Sequence, residues 1–323
     1  MLQLSMFNVF GQFDGARVYW ALPKNTNIIG VHRIDAKANT ILNNLNFVYK
    51  SSVIDNSQNI LTYTRSQPIF KRTFYATLVI PTASLNTNIV VPNKIGGNST
   101  TKSIFKHGLG DIRLIGTINI VGAKGLMIKD YIRHEPKSLL YFQLNLSVPT
   151  GQYDGNSAVN IGSNQIKLKL GLPFVQRIGK WVDGNKMTLE LFPSYQFVSD
   201  NKSFLGNEIK QDGIFILEGH LTRDITKKGF LSLDYSYLNG ADLSLIASNT
   251  NETIYEQGSI VSSIIGMTLG LKINDNINLF LSHSETILFD EQSLSIDGYL
   301  TKLTVAWSFH DFQERFKNYI EGN

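Results

Sequence analysis

A two-residue alternation of apolar and polar side chains runs through most of this 323-residue chain and constrains its fold more than any other feature. Segment 140–148 places Leu, Phe, Leu, Leu and Val at its even positions and mostly polar residues at its odd positions. Segments 165–174, 187–197, 231–237 and 265–273 repeat the pattern. Successive side chains of a β-strand point to opposite faces, so each segment predicts a strand with one apolar and one polar face.

This alternation, with the breaks between segments, predicts twelve strands in one all-β domain. The strands are commonly about ten to thirteen residues long, closer to the nine to eleven of a membrane-spanning strand than to the five or six of a soluble one. Short breaks at 226–229 and 274–276 alternate with long breaks at 199–212, 239–257 and 287–297. We therefore expect a closed antiparallel transmembrane β-barrel with short periplasmic turns and long extracellular loops. The predicted strands are 26–36, 59–67, 71–82, 110–122, 137–148, 164–176, 186–198, 212–224, 229–239, 260–273, 276–286 and 297–309.

The predicted barrel is a single domain, because the chain has no internal repeat of fixed period. It occupies residues 1–309, of which 1–25 form an N-terminal segment, and a polar tail follows at 310–323. A further loop is expected over 83–107. The sequence leaves open whether residues 1–12 form a strand or a plug.

Composition excludes several other classes of protein. The net charge of +4 is too small for a nucleic-acid-binding face, and no stretch offers the roughly 20 apolar residues of a membrane helix. The absence of Cys excludes disulfide scaffolds, thiolate zinc sites and cysteine nucleophiles. Residues 1–6 lack the basic and apolar regions of a signal peptide, so we expect either a cytosolic protein or a mature or shortened form of an exported one.

Strands with two different faces could also build a soluble β-sandwich, whose apolar rows meet in a core. Aromatic residues argue for the membrane instead, because they gather near the ends of the apolar rows, as at a lipid–water boundary. Leu303, Val305, Trp307 and Phe309 also form a row that resembles the C-terminal signature of bacterial outer-membrane barrels. That likeness implies contact with outer-membrane lipid and insertion by the barrel-assembly machinery. The aromatic residues are Phe174, Trp181, Tyr195, Phe197, Tyr235, Tyr237, Tyr299, Trp307 and Phe309.

If the apolar rows face lipid, the opposite rows line the lumen. Five of the charged residues there are basic and three are acidic, which predicts a weak preference for anions. The alternative is that these charges pair across neighbouring strands in a packed, narrow interior, since small barrels fill with side chains. The candidate lumen residues are Arg113, Lys167, Lys169, Glu190, Glu218, His220, Asp234, Lys272 and Lys302.

Four short motifs occur in the order found in one protein family. They are Ala16 to Asn27, Gly108 to Asp111, Val148 to Asp154 and Asn160 to Asn164. Together they resemble the "MetA-pathway of phenol degradation" family over residues 14–309. This resemblance implies an outer-membrane β-barrel transporter for aromatic or other hydrophobic compounds.

The same motifs suggest turn chemistry at the rim of the barrel. Pro149 ends a strand, Gly151 permits a positive φ, and Asp154 and Asn156 can hydrogen-bond their own loop backbone. The chain departs from the family at Gln165, where a basic residue is expected, and in the tail that follows the last strand. The candidate motif residues are Gly108, Gly110, Asp111, Pro149, Gly151, Tyr153, Asp154, Asn160, Gly162 and Asn164.

These observations predict a monomeric channel or transporter in the bacterial outer membrane, with passive passage of small molecules through the lumen and gating by the extracellular loops. One alternative is a structural or adhesive outer-membrane protein with a plugged lumen. A second is an outer-membrane lipid hydrolase, for which His220 with Glu218 on the same strand face is the best acid–base candidate. No hydrolase or zinc-site motif supports catalysis, so we expect no enzyme, no cofactor, no metal and no nucleic-acid partner.

Overall fold

A computed structural model describes residues 15–39, 53–91, 100–131, 133–287 and 295–310 of the chain. Residues 1–14, which make up much of the predicted N-terminal segment, lie outside the described residues. The same holds for residues 311–323, nearly all of the predicted polar tail, and for part of the predicted loop at 287–297.

Strands make up most of the described ranges, which contain eighteen of them and one short helix. No helix within these ranges has the length and apolar character needed to cross a membrane. The elements are β1 (Thr26–Ala38), β2 (Val53–Ile69), β3 (Arg72–Val91), β4 (Thr100–Leu109), β5 (Ile112–Val121), α1 (Ile128–Tyr131), β6 (Ser138–Val148), β7 (Lys167–Gly171), β8 (Phe174–Ile178), β9 (Met187–Val198), β10 (Asn201–Phe204), β11 (Asn207–Gln211), β12 (Ile214–Thr226), β13 (Gly229–Gly240), β14 (Leu243–Ala247), β15 (Thr253–Gln257), β16 (Ile260–Lys272), β17 (Ile277–Ile287) and β18 (Gly298–His310).

Fourteen of these strands form one antiparallel sheet that closes on itself. β18 pairs with β1 along the whole length of both strands, and β9 pairs with β12, so the wall is continuous. β4 and β5 both pair with β3, and β7 and β8 both pair with β9, so each of these two pairs of strands occupies one position in the wall. Twelve wall positions result, and the predicted closed antiparallel barrel of twelve strands is confirmed.

Side chains alternate between the two sides of the wall. In β18, Lys302, Thr304 and Ala306 are at most 5% exposed, whereas Val305 and Trp307 are 41% and 47% exposed. The exposed row is the apolar one, so it faces lipid and the polar row faces the interior. This is the orientation that the sequence alternation predicts for a membrane barrel.

The first strands are longer than predicted. Where we expected a loop over 83–107, β3 runs on to Val91 and β4 begins at Thr100, with backbone pairing that starts at Thr82 and Leu109. The loop prediction was wrong because Asn, Ser and Thr, which are common in loops, here occupy strand positions whose backbone continues the ladder. β2 likewise begins at residue 53 rather than 59.

The wall strand predicted over 164–176 is interrupted. It consists of β7 and β8, with a break at Leu172 and Pro173. Pro173 has no N–H to donate to the ladder. The Leu172 N–H instead donates to the carbonyl of Pro193 in β9 at 3.0 Å, so β9 keeps both halves in place. The strand predicted over 110–122 is β5, which begins at Ile112.

The long loops mark the extracellular rim, and β1 begins and β18 ends at the opposite, periplasmic rim. Two periplasmic connections, 122–137 with α1 and 179–186, are longer than the predicted short turns, whereas those after β2 and β12 contain only two residues. At the extracellular rim, two long loops are themselves paired. They form a separate sheet in the order β10, β11, β14, β15.

A charge placed on the lipid face tests this orientation. Leu233 lies midway along β13 and is 53% exposed, so we expect Leu233→Arg to lower the free energy of unfolding by about 2–4 kcal/mol. Ile225→Arg is the matched control, because Ile225 is 57% exposed but lies at the periplasmic end of β12, where the cost falls to about 0–1 kcal/mol. Denaturant unfolding in lipid vesicles measures both costs, and equal costs would contradict the assigned lipid face.

Candidate functional site

A segment of the chain that precedes β1 lies inside the barrel. We call residues 15–25 the plug segment. Its residues from Ala16 to Leu22 are all at most 6% exposed, although none belongs to a strand. The Lys24 N–H donates to the Leu126 carbonyl at 2.9 Å in the periplasmic connection between β5 and β6. The plug segment therefore fills the lumen near its periplasmic end.

Arg17 joins the plug segment to two strands of the wall. Its guanidinium donates from Nη1 to Asp224 Oδ1 at 2.6 Å and from Nε to Thr222 Oγ1 at 3.0 Å, both on β12. The backbone N–H of Arg17 donates to Glu190 Oε2 on β9 at 2.7 Å, and Trp20 Nε1 donates to the other oxygen of that carboxylate at 2.9 Å. Buried charges persist when they are paired and hydrogen-bonded, so these contacts fix where the plug segment lies.

Aromatic rings complete the packing around Arg17. The guanidinium carbon lies 4.4 Å from the centroid of the Trp20 ring and 4.0 Å from that of Phe230, within cation–π range on both sides. The Tyr19 ring meets Phe192 edge to face, with centroids 5.2 Å apart. The seated plug segment thus combines a buried ion pair with apolar packing.

Five aromatic side chains of the wall point inward and pack in one cluster with the plug segment. None is more than 7% exposed. Sequence reasoning missed them as a group, because it assigned apolar residues to the lipid face. A signal was present, since large rings interrupt the polar rows of strands such as β9 and β17. The interior aromatic residues are Tyr75, Tyr141, Phe192, Phe230 and Phe280.

Tyrosine hydroxyls bind the backbone of the plug segment directly. The Leu22 N–H donates to Tyr75 Oη at 3.0 Å. Tyr131 Oη, from α1, donates to the Ala21 carbonyl at 2.6 Å. These two bonds satisfy backbone groups that would otherwise be buried without a ladder partner.

The nine candidate lumen residues all lie on the interior rows of their strands. The side chains of Asp234 and Lys272 are 17% and 16% exposed, and the other seven residues are at most 9% exposed. Their contact with a permeant stays a prediction. The seven buried residues are Arg113, Lys167, Lys169, Glu190, Glu218, His220 and Lys302.

Several of these charges face an opposite charge. Lys169 Nζ lies 3.9 Å from Glu218 Oε1, and both side chains are at most 2% exposed. His220 Nδ1 lies 2.7 Å from Asp234 Oδ1. Glu190 binds the plug segment rather than a neighbouring strand, as described above. Two pairs of opposite charge therefore lie within the interior, as the alternative of charges pairing across neighbouring strands predicts.

Among the residues that the structure describes, no serine or threonine hydroxyl is hydrogen-bonded to His220, as the hydrolase hypothesis would need. The partner of His220 is Asp234, on the neighbouring strand, rather than Glu218. The hydroxyls of Ser232 and Thr268 both donate to Asp234, each at 2.5 Å, instead of facing the imidazole. This arrangement orients a carboxylate within a polar network and does not present an activated hydroxyl. Across the described ranges, no three His, Asp or Glu side chains are grouped so as to hold a metal ion.

Three of the four sequence motifs meet in one place, which we call the Asp111 knot. Asp111, between β4 and β5, accepts at Oδ1 from the Gly151 N–H at 2.9 Å. At Oδ2 it accepts from the N–H and the hydroxyl of Ser163, at 2.8 and 2.6 Å. The Gln152 N–H donates to the Leu109 carbonyl at 2.8 Å. One carboxylate therefore ties the extracellular loop 149–166 to the wall.

Of the turn features predicted for the motifs, the hydrogen bond of the Asp154 side chain to its own loop is confirmed, whereas the positive φ of Gly151 is wrong. Asp154 Oδ1 accepts from the Asn156 N–H at 3.0 Å. Gly151 does not have a positive φ. Glycine is needed there for space, because a Cβ would lie only 2.8 Å from the Cα of Gly162. Gly108 is not in a turn either, since it belongs to β4.

The remaining motif residues join the same loop to the extracellular sheet. Tyr153 Oη donates to the Ser203 carbonyl in β10 at 2.7 Å. Asn164, at a φ of 54°, donates from Nδ2 to Asn201 Oδ1 at 2.8 Å. Asn160 bonds to the backbone of its own loop. Three of the four motifs thus build one structural unit at the extracellular end, whereas Ala16 to Asn27 lies near the periplasmic end.

The sequence profile of the family described as "Putative MetA-pathway of phenol degradation" matches residues 46–283. The chain belongs to this family. The matched range contains the Asp111 knot and most of the wall, and it begins after the plug segment. No curated protein matches the chain.

Several solved structures are similar to this chain in fold. The COG4313 outer membrane channel from Pseudomonas putida F1 is 15% identical, with a TM-score of 0.67 over 90% of this family member and 98% of that chain. The beta domain of the Bordetella autotransporter BrkA (9% identity, TM-score 0.47, 88% and 99% covered) and the P. putida toluene transporter TodX (11%, 0.43, 90% and 91%) are more distant. The first likeness shows the fold of an outer-membrane barrel, and the other two are too remote to support an argument.

Removing the guanidinium of Arg17 should release the plug segment. In Ala16→Cys, the chain's only thiol is buried while the plug segment is seated. Breaking a buried ion pair at one partner costs about 3–5 kcal/mol, so Arg17→Met should raise the rate of maleimide labelling by about two to three orders of magnitude. Adding Asp224→Asn should restore part of the protection, because the two partners are coupled.

Arg223→Met is the matched control, because Arg223 is the exposed neighbour of Asp224 on β12 and bonds to Asn185 instead. It should leave labelling unchanged. Equal rates in the Arg17 and Arg223 variants would contradict a role for Arg17 in seating the plug segment.

Loss of the Asp111 carboxylate should loosen loop 149–166 without opening the wall. A hydrogen bond to a charged group contributes about 1.5–3 kcal/mol, so in Asp111→Ala we expect the amides of Gly151 and Ser163 to exchange about ten to a hundred times faster. Hydrogen exchange measured by mass spectrometry tests this. Asp200→Ala, at an exposed acid of the next extracellular loop, is the control. Unchanged exchange in Asp111→Ala would show that the loop does not depend on the knot.

Proposed function

We propose that this family member is an outer-membrane channel that passes small aromatic or other apolar compounds passively through its lumen, with the plug segment as the gate. The observation that carries the proposal is the cluster of five interior aromatic side chains that pack with the plug segment. Aromatic carbon faces offer a permeant apolar contact rather than hydrogen bonds. An apolar permeant could replace the plug segment's own contacts with these rings.

The charged interior residues support the same proposal. Because Lys169 and Glu218 face each other, as do His220 and Asp234, they offer little net field to an ion. We therefore expect a small basal conductance, with only a weak anion preference from the remaining basic residues. The outward apolar rows suit a monomer surrounded by outer-membrane lipid and inserted by the assembly machinery.

A specific observation also favours the second candidate, a structural or adhesive protein with a permanently plugged lumen. The plug segment is as well packed as a protein core, and the extracellular loops at β10 and β14 form their own sheet. The two functions differ in whether the plug segment ever leaves.

Uptake by whole bacteria separates the two functions, because the lipopolysaccharide leaflet slows diffusion of apolar compounds. In cells that produce the barrel, we expect uptake of labelled benzyl alcohol to rise severalfold over cells without it, while uptake of labelled glycerol, a small polar molecule, stays unchanged. Arg17→Glu places a third carboxylate beside Asp224 and Glu190, so it should unseat the plug segment and raise uptake further.

Lys71→Glu is the matched charge reversal, at an exposed residue of the periplasmic turn between β2 and β3, and it should behave like the parent chain. If neither the parent nor the Arg17→Glu barrel increases uptake of benzyl alcohol while both are folded in the outer membrane, the channel proposal fails and the plugged structural protein stands.

A further inference from the structure

A cavity of about 500 Å³ lies at the periplasmic end of the barrel, against the plug segment. One wall is Trp20 with Ala21 of the plug segment, and another is Trp181 in the connection between β8 and β9. The two indole rings lie 4.9 Å apart, centroid to centroid. Trp181 was expected at the lipid boundary, and this cavity is where it lies instead. The volume falls within the range of small-molecule sites.

The polar groups of Trp20 and Tyr131, two of the cavity's aromatic residues, are already used. Trp20 Nε1 donates to Glu190, and Tyr131 Oη donates to the Ala21 carbonyl. These two rings therefore present carbon faces and edges to the cavity rather than hydrogen-bond donors. Such a surface binds planar apolar groups through stacking and edge contacts.

The charges around the cavity are paired with one another. Lys186 Nζ lies 2.8 Å from Asp183 Oδ1, and this hydrogen bond holds the pKa of Asp183 below its ordinary value. Glu135 faces Arg177 at 3.4 Å. A carboxylate placed against these carbon surfaces would lose its hydration, and the cations beside the cavity already have carboxylate partners, whereas a neutral ligand has little hydration to lose.

We propose that this cavity binds a neutral aromatic compound from the periplasmic side and that its occupancy holds the plug segment in place. The inference rests on the proposed function only for its physiological meaning. That meaning is that a permeant which accumulates in the periplasm closes the channel. Binding itself follows from the cavity.

The coupling follows from the construction of the cavity. Trp20 and Ala21 belong to the plug segment and supply one wall, so the cavity is complete only while the plug segment is seated. A ligand that binds only the seated state stabilises that state by linkage, in proportion to its concentration over its dissociation constant. Conversely, unseating the plug segment should abolish binding, because coupling between two events is reciprocal.

Tryptophan fluorescence measures the binding directly. The chain has three Trp residues, and Trp307→Phe removes the one that faces lipid, leaving the two in the cavity. With the full chain in lipid nanodiscs, we expect saturable quenching by benzyl alcohol. Benzoate, the same ring with a carboxylate, should bind at least about tenfold more weakly. No saturable quenching by benzyl alcohol would overturn the site, and equal binding of benzoate would overturn its preference for neutral ligands.

A pair of matched variants ties the quenching to this cavity. Val182→Phe fills the cavity from an exposed position, so the affinity should fall at least about tenfold. Val121→Phe makes the same change at a residue of similar exposure that does not line the cavity, and it should bind like the parent. Trp181→Leu, with Trp20 as the remaining reporter, provides a second loss of the stacking surface. Equal affinity in all three variants would overturn the site.

The Ala16→Cys probe tests the coupling. At benzyl alcohol concentrations ten times the dissociation constant, maleimide labelling should slow about tenfold, and Val182→Phe should remove this protection. Labelling that does not respond while quenching saturates would overturn the coupling. If cells take up benzyl alcohol but the protein in nanodiscs shows no quenching, the channel proposal stands and this site is rejected. Saturable quenching without uptake would leave the site and reject the channel.

Discussion

The need to pair every backbone N–H and carbonyl within the membrane governs this structure. Lipid offers those groups no partner, so a β-sheet can span a membrane only when its first and last strands meet. Here β1 and β18 satisfy that condition along their full length. Closure then divides the side chains into an outer row that must be apolar and an inner row that is free to be polar. The polar character of the interior therefore follows from the closed ladder of backbone hydrogen bonds.

An interior lined by twelve strands still has to be filled or wetted. In this chain, two groups of side chains with different chemistry occupy the interior. Near the periplasm, aromatic rings close on the plug segment, with Arg17 neutralised by Asp224. Further along, pairs such as Lys169 with Glu218 satisfy one another. Burying such groups costs desolvation energy, which their partners offset only when the geometry is good. The plug segment is thus held by a few specific contacts, most of them around Arg17.

Sequence alternation was sufficient for the wall and insufficient for what lies inside it. Period two predicts the strands and which face meets lipid, because that rule depends only on local geometry. It misassigns Trp181, since an apolar ring has two possible destinations in a barrel, lipid or plug. The pairing of Asp111 with Ser163 depends on residues far apart in sequence. The plug segment has no periodic signal at all, so its position becomes visible only once its partners on β9 and β12 are in place.

The long strands of the first hairpins shape how the barrel meets its surroundings. β3 has 20 residues, which at about 3.3 Å per residue and a tilt of about 45° rise about 47 Å, whereas the apolar band of such a barrel is about 25 Å tall. The corner built by β2, β3 and β4 consequently extends about 20 Å beyond the apolar band on the extracellular side. Together with the sheet of β10, β11, β14 and β15, it carries the protein well beyond the lipid on that side, so soluble reagents in the medium can reach these strands while the lipid-embedded part of the wall stays shielded.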